Sequence, residues 1–318
     1  MRVSVVIPCF KDSATLGRAL DSVLAQSRAA DEVIVVNDAS PETSEIEAVL
    51  VAYPSVKYVV NAANLGLAAT RNVGVHAASG EIVCFLDADD ELHPQKIELQ
   101  LSLYRPGRAV SCSVERIGDE RGIDRVAPYA GEVKHSVFAD SSVLVRRNTL
   151  TGASLMVSRE LFLSLGGYDE TLRSCEDFDL WLRLLDAGVP AFNIDLPLYL
   201  YRVNENGLSR NLLNISYWEL EVVKKHYARH RRAGEQPSGE ASTLVIWLFK
   251  HFVRYEQCRD PRLIEATRRN LQLLGEWPLA RVLLLVAQRT GLPRLVGFLL
   301  ANRGSSGQVP GTFAREQK

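Results

Sequence analysis

Apolar positions in the first ninety residues alternate between short runs and helical stripes. Residues 3–7 (VSVVI) form a mostly β-branched run closed by Pro8, which predicts a buried strand. After Asp12 and Ser13, which can cap a helix, Leu16, Ala19, Leu20, Val23 and Leu24 recur at helical spacing. A second strand is predicted over 32–36, ending in Asn37, Asp38, Ala39 and Ser40. A helix over 43–52, a strand over 56–60, a polar turn over 61–66 and a helix over 68–78 follow. Ser79 and Gly80 end that helix, and a fourth strand is predicted over 82–86. This β-α-β-α rhythm predicts an α/β fold with a mostly parallel sheet flanked by helices. Such sheets bind ligands outside the carboxyl ends of their strands. The candidates for chemistry are therefore Pro8 onward, Asn37 and Asp38, Asn61 onward, and Asp87 to Asp90.

Residues 104–150 hold scattered β-branched runs and glycine turns without a clear period. A strand is predicted over 154–157 and a helix over 159–165, broken by Gly166 and Gly167. Residues 176–186 form an amphipathic helix with Phe178, Trp181, Leu182 and Leu185 inward, and 198–201 a short strand. From about 213 the pattern is helical: 215–230, 243–255, 261–274, 279–288 and 292–301, with a linker by composition at 232–240. The expected organisation is an α/β domain over 1–212, a helical region over 213–302 and a disordered tail over 303–318.

The 318 residues are 47% hydrophobic and 24% charged, which suits a globular chain rather than a disordered or fibrous one. Five cysteines without a C-x-x-C spacing suggest neither a zinc site nor a redox pair; Cys9 and Cys84 read as reduced core residues. The N-terminal apolar run is shorter than the roughly seven or more residues of a signal peptide. The most apolar stretch, 279–300, is broken by Arg281, Arg289, Pro293 and Arg294. A cytoplasmic setting is expected. A net charge of −1 hides a split: residues 213–318 hold 17 Lys and Arg against 9 Asp and Glu, and residues 1–212 hold 20 against 29. The basic helices suit a packed core, a homodimer contact or a peripheral place on an anionic membrane. No nucleic-acid partner is expected, because the chain as a whole is not basic.

The strongest chemical signal is Asp87-Ala88-Asp89-Asp90 after a strand. In extended chain, residues i and i+2 share a side, so Asp87 and Asp89 can converge on a hard divalent cation. An acidic turn capping a helix before Pro94 is the plainer reading of the same residues. Glu176-Asp177 likewise fits ordinary acidic enrichment in a first helical turn. His226 and His230 lie four apart on a helix, where an exposed face is the simpler account.

Four blocks in order resemble the inverting family 2 glycosyltransferases of the GT-A fold. They are VSVVIPCFKDSATLGRALDSVLAQS at 3–27, EVIVVNDAS at 32–40, NLGLAATRNVGVHAASGEIVCFLDADDELHP at 64–94 and SCEDFDLWLRLLDAG at 174–188. The resemblance covers about residues 1–205. It implies that Pro8 begins the loop cradling the nucleotide base, that Asp38 accepts a hydrogen bond from uracil N3–H, and that Arg71 reaches the base or the phosphates. It implies that Asp87 lies near the ribose and metal, that Asp89 binds Mn²⁺ or Mg²⁺ bridging the diphosphate, and that Asp177 is the general base. A carboxylate at a helix N-terminus is favoured in its ionised form. The implied partners are a nucleotide-sugar donor, with UDP preferred, and a saccharide or lipid-linked acceptor in polysaccharide or glycolipid synthesis. Asn204 stands where many relatives have a His, and it is a weaker, neutral ligand. The Q-x-x-R-W of processive members is absent, which implies transfer of one sugar or few. Nucleotidylyltransferases and dehydrogenases would need a glycine-rich loop where this chain has PCFKDSATL. A catalytically silent sugar-nucleotide binder of the same fold is the alternative.

Overall fold

The computed structural model describes residues 1–119, 122–203 and 212–235, with 240, 243, 244, 246, 247 and 250. In chain order the elements are β1 (Val3–Cys9), α1 (Ser13–Leu24), β2 (Glu32–Asn37), α2 (Thr43–Leu50), β3 (Lys57–Val60), α3 (Leu67–Ala77), β4 (Ile82–Phe85), β5 (Glu91–Leu92), α4 (Lys96–Leu103) and β6 (Ala109–Ile117). Then come β7 (His135–Phe138), α5 (Ser141–Leu144), a 3-10 turn (Gly152–Ser154), β8 (Met156–Ser158), α6 (Arg159–Ser164), α7 (Glu176–Asp186), β9 (Ala191–Arg202) and α8 (Leu212–Arg232).

One sheet runs in the order β3-β2-β1-β4-β8-β6-β9-β5, with β7 paired to β9. β3, β2, β1 and β4 are mutually parallel, so the ends of all four point the same way. β8 is antiparallel to both β4 and β6. Every residue of β1 is buried, because helices cover both faces of the sheet there. Val3, Val5 and Ile7 share a core with Leu16, Ala19, Leu20 and Val23 of α1. The intervening Val6 faces α3, where a Cβ on Gly74 would lie 2.2 Å from Val6 Cγ1. Gly74 is thus the residue that lets α3 lie close on the sheet. Burying each Leu or Val of α1 stabilises the fold by about 1.5–3 kcal/mol.

The mostly parallel, helix-flanked α/β sheet is as the sequence predicts, and several strands differ from expectation: β5 and β7 have no predicted counterpart. β6 occupies part of the stretch without a readable period, and its Ser111 is buried because Ser154 Oγ meets its hydroxyl at 2.8 Å. β9 spans Ala191–Arg202 rather than 198–201, since β6 and β7 pair along its first half. Pro8 also sits inside β1, opposite Val36, and the loop starts only at Phe10. β4 pairs with β1 only as far as Val6, so the missing proline N–H falls beyond that ladder.

The chain forms two compact units. One comprises Met1–Ser141 and Leu150–Asn204, the other Ser142–Thr149 and the residues from Glu205 onward. In the second, α8 buries Leu220, Val222, Val223 and Tyr227, and the Trp247 indole N–H donates to the Val145 carbonyl at 2.6 Å. The described residues of the helix expected over 243–255 are helical. The helices expected over 261–274, 279–288 and 292–301, the tail, and Asn204 lie outside the described residues. Among the described residues, no helix is long and apolar enough to cross a membrane.

Candidate active site

The four parallel strands present their ends to one rim of the first unit. After β1 come Phe10, 37% exposed, then Lys11 and Asp12. Lys11 has φ +62° and Ala39, just past β2, has φ +51°. Left-handed backbone costs a non-glycine residue roughly 1–2 kcal/mol, and such strain gathers at functional sites. Ser40 Oγ accepts from the Lys11 N–H at 3.1 Å and joins the two loops. Phe10 is partly exposed at this rim, and the Lys11 ammonium lies 5.3 Å from its ring centroid.

Asp12 does not cap α1. The Glu42 carboxylate accepts from Ser13 N–H and Oγ–H instead, at 3.2 and 2.7 Å. The Asp12 carboxyl is pushed up to about 6, first by burial and then by the charges of Asp87 and Glu42. Asp12 therefore belongs electrostatically with the acidic loop, a membership that the long separation of Asp12 and Asp87 in the sequence hides.

Asp38 is buried and its carboxylate organises the loop after β3. Oδ1 accepts from Asn61 Nδ2 and the Leu65 N–H, both at 2.8 Å, and Oδ2 accepts from the Gly66 N–H at 2.9 Å. Gly66, with φ +88°, is the N-cap residue just before α3. Asp38 thus ties the end of β2 to the start of α3, and one lone pair of Oδ2 is left beyond these bonds.

The acidic loop divides its labour. Asp90 and Glu91 are buried and structural. Asp90 accepts from Tyr199 Oη–H and from the Arg202 N–H, both at 2.7 Å. Arg202 also binds Glu91 Oε1, the Asp89 carbonyl and the Gly118 carbonyl. Tyr199 Oη accepts from the Asp87 N–H at 3.2 Å. With its main chain fixed this way, the loop turns the carboxylates of Asp87 and Asp89 toward the rim. The Asp89 carboxyl is pushed up to about 7 by burial, then by the charges of Asp87 and Asp12. A partly buried carboxyl beside two further carboxylates offers hard oxygen donors whose crowding a divalent cation would relieve. Asp87 and Asp89 therefore fit Mn²⁺ or Mg²⁺, with Asp12 adding negative charge.

On the other side stands α7. Its N-cap residue Cys175 has φ +61°, the third strained position at this site. Glu176 is buried, and Asp177 is half-buried. Asp177 Oδ2 accepts from the Gly152 N–H at 2.9 Å and Oδ1 from the Phe178 N–H at 2.7 Å. Burial raises the pKa of Asp177, opposed by the Gly152 N–H and the Arg71 charge. The helix N-terminus was expected to favour the ionised form; desolvation outweighs it. Gly152 permits this close approach, since a Cβ there would lie 2.1 Å from Asp177 Cβ.

Arg71, on α3, joins the two sides. Its Nη2 meets Asp87 Oδ1 at 2.5 Å and its Nη1 meets Glu176 Oε1 at 2.7 Å. These carboxylates hold the guanidinium pKa above its ordinary value against desolvation. The Tyr168 ring lies 5.6 Å from the guanidinium carbon. Asn72, the next residue on α3, clamps the Tyr168 main chain: Nδ2 donates to its carbonyl at 2.9 Å and Oδ1 accepts its N–H at 2.8 Å. The structure therefore brings Asp38, Arg71, Asp87, Asp89 and Asp177 into one unit, and adds Asp12, Gly152, Tyr168 and Glu176.

A parallel α/β sheet with a paired-carboxylate loop after its fourth strand and a carboxylate on a facing helix defines a GT-A-type sugar transferase. The Glycosyl transferase family 2 model matches residues 4–158, and the Glycosyltransferase like family 2 model matches 121–260. The chain belongs to glycosyltransferase family 2. An uncharacterized glycosyltransferase of Rickettsia bellii is 28% identical over 188 residues, 57% of this chain but only 27% of that protein's length. The amylovoran biosynthesis glycosyltransferase AmsB of Erwinia amylovora is 28% identical over 240 residues, 71% of this chain and 79% of AmsB. The crystal structure of S. aureus TarS 1-349 in complex with UDP-GlcNAc superposes with a TM-score of 0.65 at 18% identity, covering 85% of this chain and 80% of that one. That last likeness is one of fold.

Proposed function

We propose that this family 2 glycosyltransferase moves a single sugar from a UDP-sugar to a hydroxyl acceptor with inversion, assisted by a divalent cation. The observation that carries the reading is the pairing of an acidic loop (Asp87, Asp89) with a separately held carboxylate (Asp177, held by the Gly152 N–H), with Arg71 bonded to Asp87 on one side and to Glu176, the neighbour of Asp177, on the other. A nucleotide-sugar seated along the strand ends would place its base near Phe10 and Asp38 and its diphosphate near Asp87 and Asp89. Asp89 and Asp87 would hold the cation, which would supply charge stabilisation for a departing diphosphate.

The acceptor hydroxyl is a poor nucleophile until a positioned base takes its proton. Asp177 is that base, and its raised pKa brings it nearer to working pH. The acceptor oxygen forms a bond to the anomeric carbon, the bond from that carbon to the diphosphate oxygen breaks, and the proton passes to Asp177. UDP leaves with the bonding electrons. Attack opposite the leaving group in one displacement inverts the anomeric centre. AmsB's name supports polysaccharide biosynthesis as a setting. In this reading the acceptor is a saccharide or a lipid-linked hydroxyl, and the protein works in the cytoplasm, peripheral on the membrane or as a homodimer through its basic C-terminal region. Consumption of UDP-sugars with release of UDP, dependent on Mn²⁺ or Mg²⁺, tests the reading. A chain that binds UDP with the metal but never consumes a donor would be a silent binder.

A further inference from the structure

Arg71 is 4% exposed, and both of its terminal nitrogens end on carboxylates of the same chain. Asp87 follows β4, Glu176 opens α7, and the Tyr168 ring flanks the guanidinium. Among the described residues Arg71 Nε and the Tyr168 hydroxyl have no hydrogen-bond partner. A buried guanidinium costs several kcal/mol to desolvate unless it is well paired, so a cation at this depth implies a task for the pairing. We propose that Arg71 is a positioning residue that fixes the acidic loop relative to the base helix and does not itself touch the nucleotide. This revises the role the family resemblance implies for Arg71, and it rests on the glycosyltransfer reading above.

The geometry states the mechanism. Glu176 and Asp177 are consecutive in the first turn of α7, so anchoring Glu176 sets the rotation of that turn and with it the direction of Asp177. Asp87 is held from the other end of the same guanidinium. Donor side and base side are thereby spaced by one planar group whose two N–H arms lie a fixed distance apart. Productive attack needs reacting atoms within about 3–3.5 Å, and this clamp supplies that constancy from behind the site. Asn72 holds Tyr168 in place on both sides of its peptide, so the aromatic flank of Arg71 is fixed as well.

The test compares the parent with Glu176→Gln, Arg71→Lys and the double variant. UDP-sugar consumption is followed with UDP-GlcNAc and a panel of UDP-sugars, and UDP–Mn²⁺ affinity by calorimetry. Glu176→Gln is nearly isosteric and removes only the charge that pulls on Arg71. It is expected to lower kcat at least tenfold while the donor KM stays within threefold. Arg71→Lys is expected to lower kcat similarly with UDP affinity within threefold. The double variant should fall no more than threefold below the poorer single one, because both break one clamp. A Glu176→Gln kcat within twofold of the parent overturns the proposal. A tenfold loss of UDP affinity in Arg71→Lys, with Glu176→Gln binding normally, also overturns it and places Arg71 on the nucleotide. If Arg71→Lys fails to fold, the Glu176→Gln result decides alone. A parent that neither binds UDP nor consumes a UDP-sugar removes the glycosyltransfer reading itself, an outcome distinct from a working parent with an indifferent Glu176→Gln.

Discussion

Gly152→Ala is the sharpest single perturbation of the base. A methyl at that position would lie 2.1 Å from Asp177 Cβ and 3.0 Å from its Cγ and Oδ2. Carbon atoms in contact rest about 3.5–4.0 Å apart, so relief requires a displacement of about 1.5 Å shared between the 3-10 turn and α7. α7 is packed through Phe178, Trp181, Leu182 and Leu185, all buried, and yields little. The Asp177 side chain must therefore swing away and lose the 2.9 Å bond from the Gly152 N–H. Overpacking of this kind costs about 1–3 kcal/mol, or roughly 2–12 °C in melting temperature for a domain of this size. Misplacing a catalytic group by about 1 Å costs on the order of 10²-fold in rate. Thermal unfolding and steady-state UDP-sugar consumption, measured on the same preparation, should show a folded protein with kcat down by about that factor and UDP affinity unchanged. A variant with kcat within twofold of the parent would refute the placement of the base.

Asp177→Asn keeps the shape but has one acceptor oxygen in place of two, so it loses the proton acceptor and one of the bonds from the Gly152 and Phe178 N–H groups; transfer should vanish while calorimetry finds donor affinity nearly unchanged, and a tenth of parental activity would contradict the assignment. Asp89→Ala should weaken Mn²⁺-dependent UDP binding at least tenfold, whereas equal affinity with and without Mn²⁺ in parent and variant would exclude Asp89 as a ligand. Asp38→Ala leaves the Leu65 and Gly66 N–H groups without their acceptor, each such loss costing about 1–3 kcal/mol; a lowered melting temperature with weaker nucleotide binding is expected, and an unchanged melting temperature would contradict the loop-organising role. The Asp89 carboxyl has its pKa raised on folding to about 7. Its stabilising contribution is then full below the unfolded value near 4 and is lost as pH rises through about 7. In metal-free protein the melting temperature of Asp89→Asn should therefore gain on the parent from pH 4 to pH 7 and level off beyond; a constant difference would deny the shift.

β1, β2 and β4 are legible in the sequence because they are buried along nearly their whole length and read as near-continuous apolar runs; β3, at the sheet edge, is exposed or half-buried and is read from its β-branched residues. The paired carboxylates after β4 are legible too, since strand ends mark the rim. β6 is not, because Ser111 and Ser113 interrupt its apolar pattern and only the Ser154 hydroxyl makes the first of them tolerable inside. Asp12 reads locally as a cap, and its tie to Asp87 and Asp89 exists only once β1 and β4 lie side by side. The same holds for Gly152, whose need to be glycine comes from Asp177, 25 residues further on. Arg71 is visible as a charged residue of a helix; its two carboxylate partners, 16 and 105 residues away, are not.

The central claim is that the rim binds a uridine diphosphate through a cation held by the acidic loop. Melting temperature measured with UDP, GDP, dTDP and CMP, each with and without Mn²⁺, tests it most directly. A ligand at a hundred times its Kd stabilises the native state by about 2.7 kcal/mol, which corresponds to a rise of roughly 5–10 °C. The account predicts that rise for UDP with Mn²⁺ and little for either alone or for the other nucleotides. No rise with any nucleotide, in either condition, would contradict it.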